Sequence, residues 1–203
     1  MSATENIPGH ALAPELQELQ RQFAALKTGA SELVNGLKES QFNWRPDSQS
    51  WSMAECLLHL NMTGERCVGL IEKALADARA RRPAGPQRLG YGPWGKWLLG
   101  RTEPPPKRRS KSARSLTPAY GQPITAVLPT FLHIQDQLAD QVAQAGGLDL
   151  RRVKLPLPGF GPIRPNLHLA FAWIAAHERR HLWQARQVRR HAAFPPAQSG
   201  RVA

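Results

Sequence analysis

The chain has 203 residues, 41% hydrophobic and 21% charged, which is ordinary for a globular protein and enough for one domain with a real core. No run of 18 apolar residues is present, which excludes a membrane-spanning helix, and the opening MSATENIPGHALAPE has no basic stretch followed by an apolar one, so it does not read as a secretory leader. The net charge of +12 is uneven: residues 1–80 carry 7 basic and 10 acidic groups, whereas residues 81–203 carry 20 and 5, so nucleic acid and an acidic surface must be weighed as partners against a merely solvated basic loop.

Residues 1–11 are expected to form a flexible N-terminus. From 12 to 38, Leu16, Leu19, Phe23, Leu26, Leu33 and Leu37 recur mostly at spacings of three, four and seven, which predicts an amphipathic helix. RPDSQS then makes a turn, because Pro46 pushes Arg45 out of the helical region. Ser52-Met53-Ala54-Glu55 is a capping box, so a second helix is predicted from about residue 53 to about 80. It carries both cysteines, Cys56 and Cys67. Eleven residues of helix separate their Cα atoms by about 16 Å, too far for a disulfide. Buried, inert thiols and a reduced cytoplasmic setting are expected.

Residues 81–121 are rich in proline and glycine and include PPPKRRSKSAR. They are expected to form a long, irregular basic insert, with the apolar patch GYGPWGKWLLG partly folded back on the body. A third helix is predicted from Pro123 to Ala145, with Pro129 near its first turns, ending at Gly146-Gly147. RRVKLPLPGFGPIRP is a connector. The fourth helix runs from Asn166 to about His191, and residues 193–203 are expected to be a flexible tail. Four long helices and no convincing strand predict an all-α four-helix bundle over residues 12–192, with the insert between helices 2 and 3.

The fourth helix contains His177-Glu178-Arg179-Arg180-His181, the His-Glu-x-x-His pattern of zinc metalloproteases. Those enzymes need a third protein ligand. The position six residues after the second histidine is Gln187, and no acidic residue follows Glu178. A protease of that type is therefore excluded. His177 and His181 still share one helix face and can share one metal ion. A third ligand would come from upstream. His59 lies beside the apolar stripe of the second helix, and His133 on the third helix competes with it. His168 precedes His177 by nine residues, half a turn off that face, and should point away. The plainer alternative is that these are ordinary core or surface histidines.

WSMAECLLHL, with Trp51, Ser52, Glu55 and His59, resembles the first motif of the DinB/YfiT-like superfamily, and HERRHLWQARQV resembles its second. Both occur in the right order, and the match covers roughly residues 12–192. The resemblance implies a four-helix bundle holding one divalent metal ion on three histidines, which fall here on His59, His177 and His181. It also implies chemistry on a small-molecule substrate, since characterised relatives include S-transferases and isomerases that use low-molecular-weight thiols. Three neutral imidazoles leave an ion its full charge and open positions, and zinc, nickel and iron(II) all accept that ligand set. Glu178 could act as a base by analogy with the proteases, but an ion-pairing or supporting role beside the histidines is the plainer expectation. Gln184, one turn beyond His181, is a second supporting residue.

Three functional classes follow. The first is a metal-dependent S-transferase or hydrolase. The second is a metal-stabilised bundle without catalysis, serving stress or interaction. The third is a nucleic-acid binder using Arg101, Lys107, Arg108, Arg109, Lys111 and Arg114, which is disfavoured because no reading motif accompanies the charge. No membrane partner is expected, and a homodimer is compatible with the reading.

Overall fold

The structure, a computed structural model, describes residues 12–80, 89–106, 113–158 and 160–196. The described residues form helices and no strands beyond one isolated bridge between Lys154 and Asn166. Four long helices make the bundle: α1 (Pro14–Val34), α3 (Met53–Arg79), α5 (Ile124–Gln144) and α6 (Leu167–Arg189). Two shorter ones lie outside it, α2 (Glu39–Phe42) and α4 (Gly92–Thr102), with a 3-10 turn at Arg114–Leu116.

Each long helix buries the stripe its spacing predicts. Leu16, Leu19, Phe23 and Leu26 of α1 meet Phe131, Ile134 and Leu138 of α5 and Leu57, Leu60 and Ile71 of α3 in one core. The first helix stops earlier than its apolar spacing suggests. It ends at Val34 because Gly36 turns the chain with φ +73°, and Leu37 then packs against the core from outside the helix. The start of α3 is as read. The Ser52 hydroxyl accepts the Glu55 amide at 3.1 Å, and Glu55 accepts the Ser52 amide at 3.0 Å. Arg45 closes this cap with a two-pronged ion pair to the buried Glu55 carboxylate.

Cross-helix bonds give the directions. Gln20 reaches the Ala139 carbonyl and Lys27 pairs with Asp136, so α1 and α5 run antiparallel. Asn61 reaches Val127, Gln141 reaches Val68, and Arg79 reaches Gln144, so α3 and α5 run parallel. Arg179 reaches Gln22 and Arg189 reaches Leu33, so α6 runs parallel to α1. Parallel neighbours need a connection that returns the length of the bundle, some 40 Å for a helix of 27 residues. The stretch read as an insert is therefore the crossover from α3 to α5.

Nor is the crossover wholly irregular. It holds α4, whose Pro93 falls in the first turn, where a missing amide costs nothing, and the prolines at 104–106 follow the end of that helix. The rest of its basic run, residues 81–88 and 107–112, lies outside the described residues, as do the expected flexible N-terminus 1–11 and residues 197–203 of the tail expected at 193–203. The part of the tail that is described is packed. Phe194 sets its edge on Trp44 at 5.5 Å, and Gln41 donates to the Pro195 carbonyl.

Candidate metal centre

His59 lies two turns after the Ser52 cap on α3. His177 and His181 lie three and four turns after the Asn166 cap of α6, whose side chain accepts the Leu169 amide. The antiparallel packing of α3 on α6 brings the three rings together. Ring centroids are 4.6 Å apart for His59 and His181, 4.7 Å for His177 and His181, and 5.3 Å for His59 and His177. One nitrogen from each lies within 4.8 Å of the others. Imidazoles sharing one ion at about 2.1 Å have nitrogens roughly 3–3.5 Å apart, a separation that small side-chain rotations reach from here. His133 is exposed on α5, and His168 stacks on Tyr91 with centroids 4.6 Å apart, so neither joins the cluster.

The rings are kept neutral. Burial lowers the pKa of His177 to about 3, helped by His59 and Arg180, and burial likewise holds His181 well below its ordinary value. The Gln184 side chain, on the next turn, works weakly against the shift of His181. Burial also lowers His59, opposed by its bond to the Leu116 carbonyl. Neutral imidazole is the form that ligates.

That last bond fixes the geometry of His59. Its Nδ1 lies 2.8 Å from the Leu116 oxygen, which can only accept, so Nδ1 carries the hydrogen and Nε2 is left with its lone pair. The carbonyl comes from the 3-10 turn of the crossover. No sequence signal marks it, because any residue offers a carbonyl. His181 Nδ1 is buried with no hydrogen-bond partner. A buried nitrogen without a partner costs free energy unless an ion or a polar group takes it.

Two indoles wall the cluster. Trp173 stacks on His177 at 4.9 Å, and Trp51 lies 5.9 Å from His181 and 5.2 Å from His59. Trp173, one turn before His177, could have been read from spacing. His59 is buried, whereas His177 and His181 keep partial exposure, so the cluster opens to solvent on one side.

Glu178 faces elsewhere. Its carboxyl is buried, accepts from Gln135 of α5 at 3.1 Å, and makes no ion pair among the described residues. Burial raises its pKa to about 8. One residue of helix turns it about 100° from His177, out of the cluster and into the core. The protease-like arrangement of a carboxylate beside the two histidines is absent. Both cysteines are free and buried, and burial pushes the thiol of Cys67 up to about 12 and that of Cys56 further still. Neither belongs to the histidine group.

Three neutral nitrogen donors, one with its tautomer fixed and one lacking a partner, fit a divalent ion. No helix among the described residues is long and apolar enough to cross a membrane. The family model of the DinB superfamily matches residues 14–185. No curated protein and no solved structure matches the chain.

Proposed function

The chain belongs to the DinB superfamily, and from that premise we propose that it is a divalent-metal-dependent enzyme that transfers a thiol to, or hydrolyses, a small-molecule substrate. The observation that carries this reading is the convergence of His59, His177 and His181 on one point with a solvent-facing side. A ligand set of three histidines leaves coordination positions open, whereas structural sites are closed by four protein ligands. The ion supplies a charge that lowers the pKa of a bound thiol or water. The protein supplies the rest. His59 is held in one tautomer by Leu116, the indoles of Trp51 and Trp173 hold the rings of His181 and His177, and the low pKa values keep all three bases free of protons. The substrate enters over the side on which His177 and His181 keep partial exposure. The chain's own thiols are not the nucleophile, since burial keeps both protonated.

The test is metal content by mass spectrometry on protein purified without a histidine tag, for wild type and His177→Ala. The expected result is about one divalent ion per chain, lost in the variant. A folded wild type that takes up neither zinc nor nickel on reloading overturns the reading. Loaded protein is then assayed with low-molecular-weight thiols and small electrophiles. Metal bound without turnover of thiol or ester substrates would leave a metal-stabilised bundle and remove the enzyme.

A further inference from the structure

The open side of the metal centre carries fixed positive charge of its own. Over residues 167–178, α6 is buried except at Trp173 and His177, and Arg180, His181 and Gln184 beyond them keep partial exposure. At 3.6 residues per turn these five positions fall in one stripe roughly 100° wide. Arg180 thus stands on the same open face as the two histidines. Burial and the neighbouring histidines lower the pKa of His177 and His181, and the charge of Arg180 adds to both shifts. A second guanidinium comes from α4. That helix runs parallel to α6: a Cβ on Gly95 would lie 3.3 Å from Leu169, and Glu103, just past the end of α4, accepts from Arg179 at 2.9 Å. Arg101, in the last turn of α4, is therefore carried alongside the turn of α6 that holds Arg180. Burial lowers the pKa of Arg180, and Arg101 adds to the shift, the sign of two like charges held near each other. The carboxylates of this region are engaged elsewhere. Glu103 is held by Arg179, Glu178 points at Gln135 in the core, and Glu15 and Glu18 act on Tyr91 at the opposite end of α4.

We propose that Arg180 and Arg101 form an oxyanion subsite beside the metal centre, so that the small molecule bound there carries a carboxylate or a phosphate near its reacting group. The proposal rests on the reading of His59, His177 and His181 as a metal site that takes a small-molecule substrate, and it names the class of that substrate. A guanidinium stays charged at any working pH, and its planar fork matches the paired oxygens of carboxylate and phosphate. Two guanidinium groups side by side repel, and an anion between them turns one repulsion into two attractions. An ion on three neutral imidazoles keeps its full charge, so the same anion is drawn by the centre as a whole. A cationic ligand would be repelled by both.

The test uses the full chain loaded with cobalt(II), whose affinity for such ligands lies between those of iron(II) and nickel. A thiol that coordinates cobalt gives an absorption band, so binding is read without any turnover. The probes are 3-mercaptopropionate, 2-mercaptoethyl phosphate and the neutral 3-mercaptopropionamide. At least one of the two anionic thiols should bind about tenfold or more tightly than the amide, and which of them is favoured separates carboxylate from phosphate. Arg180→Gln should remove most of this preference and Arg101→Gln part of it, with cobalt content, helical spectrum and affinity for the amide unchanged. Arg180→Lys, which keeps the charge without the fork, should restore part of the preference. Equal binding of the three thiols by the wild type overturns the subsite. So does a preference that survives Arg180→Gln, since the ion alone would then supply it. A wild type that takes up no cobalt overturns the metal reading and the subsite with it, whereas cobalt uptake without anion preference overturns the subsite alone.

Discussion

His168 shows how a buried ring outside the metal centre taxes the fold. It is 2% exposed, stacks on Tyr91, and neither ring nitrogen has a hydrogen-bond partner. Burial lowers its pKa below 6.5, with Glu15 opposing. The folded state therefore keeps the ring neutral, while the unfolded chain takes a proton as pH falls through 6.5, so stability is lost on the acid side. His168→Phe keeps the stacking and removes two unpaired nitrogens. It should stabilise the protein by about 1 kcal/mol in urea unfolding at pH 7.5. The gap over wild type should widen towards pH 5, and a gap that stays constant would contradict the buried neutral ring. Glu178 gives a second residue-level contrast. Because its carboxyl points at Gln135 and not at the histidines, Glu178→Gln should keep its metal, whereas His177→Ala next door should lose it. Metal analysis of the two variants side by side decides whether the carboxyl serves the ion or the core.

At the scale of single helices, α3 sets the position of His59. Its first turn is fixed by Ser52 and Glu55 and braced by Arg45. Ser52→Ala should cost about 1 kcal/mol in denaturant unfolding. Two and a half turns on from the cap's last residue, α3 crosses α5 closely at Gly64, where an added Cβ would stand 2.7 Å from the Ile134 Cγ2. That methyl sits on a buried, branched side chain and has little room to move. Gly64→Ala gains roughly 1 kcal/mol of helix propensity yet should still destabilise by about 1–2 kcal/mol, because overpacking a tight crossing outweighs it. Thermal melts of the variant check the sign. The cap was legible because Ser-x-x-Glu before an apolar run states its own bonding. The end of α1 was not read, since leucine spacing carries on through Leu37 and only the turn at Gly36 breaks it. The helix α4 was hidden by the proline count around it. Pro93 reads as a breaker until its place in the first turn is known.

For the molecule as a whole, the bundle and the pair on α6 could be read from periodicity, since three- and four-residue spacings report which face is buried. His59 could be favoured over His133 by its apolar neighbours and by the resemblance of its motif, but spacing alone left both open. Helix direction could not be read at all. Apolar stripes are the same for parallel and antiparallel neighbours, so the long stretch after α3 read as an insert and not as the return path that parallel α3 and α5 demand. That return path passes through the 3-10 turn, where the Leu116 carbonyl meets His59. Inserting one glycine between Ser115 and Leu116 should displace that oxygen and weaken metal binding about tenfold, with little change in the melting of the bundle. Competition with a chelator measures it, and unchanged affinity would show that His59 needs no such partner.

The grip on His59 comes from a main-chain atom, so what it constrains is the route of the polypeptide and not the identity of residue 116. Substitutions there that keep residue 116 buried leave the oxygen in place, whereas a change of one residue in the length of the turn moves it. A histidine on one of the most regular elements of the fold thus takes its orientation from one of the least regular. Variation in the turn at Arg114–Leu116 can proceed freely in composition while being held to a fixed measure in length.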